Sequence, residues 1–118
     1  MFFNKAIIPS LVLVLMTNSA HANLIVNGDF SLGNYGFSSE YQISPDLYAA
    51  GVYVVGADPY IYHSGAASFG DHTGAGLMFM SNGSMSAYQT LWQQKISVAE
   101  GANYIFSGYM TTWEGLHK

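Results

Sequence analysis

The chain has 118 residues, half of them hydrophobic, with three basic side chains against seven carboxylates, no arginine and no cysteine. So acidic a chain has no electrostatic footprint for a phosphate backbone, which argues against nucleic acid as a partner, and it suits an anionic membrane surface no better. Without disulfides its stability has to come from a packed core or a metal, and its wealth of apolar and aromatic residues argues against disorder.

In chain order, Lys5 precedes an apolar stretch from Ala6 to Met16, and polar Thr17, Asn18 and Ser19 lead to Ala20-His21-Ala22. A basic start, an apolar centre and an A-x-A site are the parts of an export signal, and the centre is shorter than the roughly 20 residues a membrane span needs. The reading is a signal peptide over 1–22, an exported mature chain from Asn23 to Lys118, and no membrane-spanning segment within that chain. The mature part keeps two lysines against seven carboxylates, a net charge of −5.

Apolar periodicity beyond the leader is short and punctuated by glycine, without the i, i+3, i+4 spacing of a helix. It predicts strands over Leu24–Phe30, Phe37–Ile43, Val52–Val55, Leu77–Ser81, Gln89–Val98 and Tyr104–Trp113, with turns at 32–36, 44–46, 57–59, 82–83 and 100–103. In the fifth strand Trp92, Ile96 and Val98 share one face and Gln93, Lys95 and Ser97 the other, the alternation of a sheet with one side on a core and one in water. Several short strands with regular turn chemistry predict an all-β fold, an antiparallel β-sandwich over 23–118. The last run ends in Glu-Gly-Leu-His-Lys with neither cap nor anchor, so the sandwich is expected to be incomplete at its C-terminus, a fragment or truncated product.

The segments "NLIVNGDFSLGNYGF" at 23–37, "HSGAASFGDHTGAGLMFMSNGS" at 63–84 and "LWQQKISVAEGANYIFSGYM" at 91–110 together resemble the N-terminal portion of an exported bacterial family. Its members carry a galactose-binding-like jelly roll, and many end in a PEP-CTERM surface-sorting tail. The resemblance implies a jelly-roll sandwich of the carbohydrate-binding-module kind, at the cell surface or outside the cell. It rests chiefly on Asn27 and Gly28, on Asp71, His72, Thr73, Gly74 and Gly76, and on Asn82 and Gly83. Similar modules hold a structural calcium with an acidic residue just after the Asn-Gly-x-Phe element, where this chain has Ser31. No Pro-Glu-Pro tail is present in it.

The stretch Asp71-His72-Thr73 contains the residue types of an acyl-transfer triad, but neighbours in extended chain point to opposite faces, and no Gly-x-Ser-x-Gly elbow is present. A turn explains it better: the Asp71 carboxylate accepts from the N–H two residues on, the glycines bend the chain, and Leu77-Met78-Phe79-Met80 enters a strand covered on both faces. Asp29 and Asp71 are hard oxygen donors of the kind calcium takes, though no dense acidic loop accompanies them. His63 and His72 lack zinc spacing. No cofactor is required by this reading, and a structural calcium is the one candidate.

Tyr48, Tyr53, Tyr60 and Tyr62 crowd a loop-rich region beside Asp58 and His63. Rings for stacking on pyranose faces and polar groups for hydroxyls make these the candidate ligand residues, with extracellular polysaccharide the favoured partner; the alternative is that the tyrosines pack along the sandwich edge. The expectation is an exported, non-enzymatic binding module. A structural module without a small-molecule site is the second reading and a glycoside hydrolase, which needs paired carboxylates, the third.

Overall fold

The computed structural model describes residues 23–113, so the signal-peptide reading and the final five residues lie outside the described part. Its regular structure is chiefly β. Strands β1 (Gln42–Ile43), β2 (Val52–Gly56) and β3 (Met78–Asn82) form one sheet in the order β1-β2-β3, and a single helical turn, α1 (Pro59–Tyr62), follows β2. Among the described residues no helix is long and apolar enough to cross a membrane.

β2 and β3 pair antiparallel, with Val54 opposite Met80, while β1 and β2 pair in parallel, with Gln42 opposite Val52. The sheet is therefore mixed, where the sequence predicts an antiparallel one. The cause is the link 44–51, which carries the chain back over one face of the sheet and drives Leu47 fully into it. So short a crossover leaves β1 only two residues of ladder.

Side-chain alternation divides the sheet into two differently filled faces. On one, Leu47, Val52, Val54 and Met80 form the buried aliphatic cluster, with Tyr62 and Met78 against it. On the other, the Tyr53 ring stacks on Phe79 at 4.9 Å, and Phe37 meets both. Phe30 and Trp92 extend this aromatic layer. The double coverage of β3 expected from its unbroken apolar run is what the packing shows.

Four of the predicted strands take other forms. Over Leu24–Phe30 the chain turns, because Asn27 and Phe30 adopt φ of 53° and 55° and the Phe30 N–H bonds to the Asn27 carbonyl; the Asn27-Gly28 pair is itself a turn signal set inside the apolar run. Phe37–Ile43 contributes only β1 and, with Gln89–Val98, a lone antiparallel bridge between Ser38 and Gln93. Of the predicted inward face of that strand, Trp92 packs on Phe37 while Ile96 and Val98 are exposed. Tyr104–Trp113 runs without turn, bend or helix and, among the described residues, has no ladder partner.

The segment 57–59 bends at Ala57, as the turn reading expects, and runs straight into α1. Asp58 is its N-cap, accepting the Tyr60 N–H at 2.9 Å, and Pro59 fills the first turn where its missing N–H costs nothing.

Candidate functional site

Asp71 organises the loop that leads into β3. Its Oδ1 accepts from the backbone N–H of Thr73 at 3.1 Å, Ala75 at 3.1 Å and Gly76 at 2.9 Å, and the Thr73 hydroxyl adds a fourth bond at 2.8 Å. These donors, the Gly76 N–H first and the Thr73 hydroxyl next, hold the carboxyl below its ordinary pKa. Gly74 turns at φ 80°, and a Cβ on Gly76 would overlap the Asp71 carboxylate, so both positions require glycine. His72 Nδ1 stays 3.8 Å from Asp71 Oδ2. With the Thr73 hydroxyl spent on the carboxylate, these three residues do not make a nucleophile and base pair.

The N-terminal element is held in the same manner. Asn27 Oδ1 accepts the Leu32 N–H, and its Nδ2 donates to the carbonyls of Gly33 and Tyr35 at 2.9 and 2.7 Å. Asp29 Oδ1 accepts from both the N–H and the hydroxyl of Ser31, which lower its pKa. Ser31 thus caps the Asp29 carboxylate.

These two loops meet. Gly28, Asp29, Phe30, Asp71, His72 and Leu77 line one side of a cleft of about 200 Å³, and Ser107, Gly108 and Tyr109 line the other. The Tyr109 ring lies parallel on His72, centroids 4.0 Å apart and planes within 8°. Asp29 and Asp71, chosen from the sequence as metal donors, therefore border one space. Their Oδ1 atoms are engaged by their own loops, and among the described residues no group of three or more His, Asp or Glu side chains converges on a metal position. The arrangement does not fit the many free oxygens a calcium ion takes.

Compared with protein-family models, with curated proteins and with solved structures, the chain matches none. What the site does has to be read from its geometry.

The tyrosine group of the sequence reading separates into two kinds. Tyr53 is buried in the aromatic layer with its hydroxyl on Asn34 at 2.7 Å, whereas Tyr62 is half-buried and packs against the aliphatic cluster. The physical reason is strand register: Tyr53 sits in the middle of β2, covered on both faces. Tyr48 and Tyr60 are exposed. The Tyr48 ring lies 4.4 Å from His63, which lies 4.9 Å from Trp113. Tyr48 Oη donates to the Ser64 hydroxyl and accepts the Ser64 N–H, both at 3.0 Å, and these bonds lower its pKa. His63 Nδ1 accepts the Gly65 N–H at 3.1 Å.

A larger groove, about 1490 Å³, runs between β3 and residues 106–113 and takes in Asn82, Gly83, Trp92 and Trp113. Asn82 itself is structural, its Nδ2 donating to the Leu47 carbonyl at 2.9 Å. Trp113 closes one end through its indole N–H on the Ser81 carbonyl at 3.1 Å. Tyr109 and Trp113 were not among the sequence candidates. Nothing local marks them, since each joins its site by a contact across more than thirty residues.

Proposed function

We propose that the chain is an exported, non-catalytic module of the galactose-binding-like jelly-roll kind, related to PEP-CTERM surface proteins, that binds polysaccharide at the cell surface or in the extracellular matrix. The observation that carries this reading is the Tyr109 ring, four-fifths exposed and braced by His72, beside a cleft bordered by Asp29 and Asp71. A flat ring held rigid by a second ring suits the apolar face of a pyranose, and Asp29, whose Oδ1 takes both Ser31 bonds, has a second carboxylate oxygen to accept a sugar hydroxyl. Exposed Tyr48 and Tyr60 supply a second aromatic surface for a long chain. The mixed sheet with both faces covered supports a β-sandwich as the complete fold.

Affinity electrophoresis through gels containing neutral and acidic polysaccharides tests the reading. Retardation in at least one gel is expected, weakened severalfold by Tyr109→Ala with an unchanged melting temperature. Equal mobility of parent and variant in every gel would overturn it and favour the structural module, a reading supported by the way both aspartates are engaged by their own loops. Release of reducing ends would instead favour the hydrolase reading. Export is tested separately by the mass of the secreted protein, expected to begin at Asn23.

A further inference from the structure

The segment 104–110, Tyr-Ile-Phe-Ser-Gly-Tyr-Met, is straight, and among the described residues its backbone bonds to no other backbone group. It is strung between two anchors. At one end Tyr104 Oη accepts the Ala99 N–H at 2.8 Å; at the other Trp113 is fixed to Ser81 by its indole and to the Ala67 N–H by its carbonyl at 3.1 Å. Between them Ile105 is 96 % exposed and Met110 100 %, with Phe106 and Tyr109 nearly as open. A contiguous apolar strip of this kind on a folded chain marks an interaction surface, and a strand with both edges free is a template for another.

We propose that the strip is a dimer interface in which segment 104–110 pairs antiparallel with the same segment of a second copy, on a two-fold axis through Ser107. Two observations select a second copy as the occupant. First, residues 101–113 carry no charged side chain in a chain whose net charge is −4, so no like charges stand opposite each other within the paired segment itself. Second, the sequence is self-complementary in that register. Phe106 falls opposite Gly108, Tyr104 opposite Met110 and Ile105 opposite Tyr109, so every aromatic meets a glycine or an aliphatic residue. The two sets, 104, 106, 108, 110 and 105, 107, 109, each stay on one face of the ribbon, as the period of a strand requires. A self-complementary patch about a two-fold axis closes after two copies. The anchors at Tyr104 and Trp113 hold the strand in its paired form beforehand, which lowers the ordering cost of association.

Sedimentation of the full chain over a wide concentration range is expected to show a monomer–dimer equilibrium, shifted tenfold or more toward monomer by Ile105→Glu at a side chain that supports nothing in the single copy. The chain has no cysteine, so Ser107→Cys oxidised with copper–phenanthroline should give a disulfide dimer. Thr111→Cys, whose copies stand far apart in this register, should not. A parent that sediments as monomer throughout or as open-ended larger assemblies would overturn the proposal. So would a dimer indifferent to Ile105→Glu, or cross-linking of Thr111→Cys as fast as that of Ser107→Cys.

Discussion

The carboxamide of Gln94 lies against the backbone of Val26, accepting its N–H at 2.8 Å and donating to its carbonyl at 2.9 Å. The same Nε2 also reaches the Gly36 carbonyl. A side chain here does what a paired strand would do, joining the N-terminal loop to a segment 68 residues away. Gln94→Ala is expected to lower stability by about 1–2 kcal/mol, the net worth of a few partly solvated hydrogen bonds. Gln94→Glu should cost more, because it turns a carboxylate toward two carbonyl oxygens. Urea unfolding of the three proteins checks the order; a Glu variant as stable as the parent would show that these bonds hold nothing.

Tyr53 offers a test of core against ligand surface. Its ring is buried between Phe37 and Phe79 and its hydroxyl meets Asn34. Tyr53→Phe should lose about 1 kcal/mol for the single hydrogen bond, whereas Tyr53→Ala should lose about 3–5 kcal/mol through the cavity it opens. That is a large share of the stability of a domain this small. Polysaccharide retention by Tyr53→Phe should match the parent. Weaker retention with unchanged melting would return Tyr53 to the ligand site.

Local chemistry made β2, β3 and the Asp71 turn legible in the sequence. Val52–Gly56 and Met78–Asn82 are dense in β-branched and apolar residues bounded by glycine, and an Asp followed two residues later by a free N–H needs no distant partner to bend the chain. The failures are equally physical. Alternation at 89–98 and 104–113 predicts sheet, but alternation only states which side chains share a face, and a ladder also needs a neighbouring edge. At Asn27-Gly28 the turn pair overrode an apolar run. The tyrosines stand close in sequence, but the register of β2 turns Tyr53 inward and α1 lays Tyr62 against the aliphatic cluster, while Tyr48 and Tyr60 stay exposed. Tyr109 over His72 was out of reach, because a contact between distant segments leaves no local trace.

The engagement of Asp29 and Asp71 by their own loops predicts indifference to calcium. Excess chelator should leave the thermal midpoint unchanged, and added calcium should raise it by less than a degree. An increase of several degrees at millimolar calcium would reveal a site that these carboxylates complete after rearrangement, since a ligand bound only to the folded state stabilises it by mass action.

Acid should unfold the chain through the same carboxylates. The folded pKa of Asp71 lies below its ordinary value of 3.8, because three backbone N–H groups and the Thr73 hydroxyl favour the charged form. Asp29 and Asp58 are depressed by serine donors and Glu40 by the Thr90 N–H. A group whose folded pKa is depressed adds stability that is present above the unfolded pKa and lost as the pH falls through the folded one. The melting temperature should therefore be level near neutrality and begin to fall as the pH drops into the ordinary carboxylate range. It should keep falling until the depressed folded values are passed. Asp71→Asn keeps an oxygen for the loop N–H groups but carries no titrating proton, so it should start lower and show a shallower acid limb. The difference between the two melting curves should shrink as pH falls. Parallel curves across that window would mean that Asp71's charge contributes nothing to the fold and that the loop is held by hydrogen-bond geometry alone.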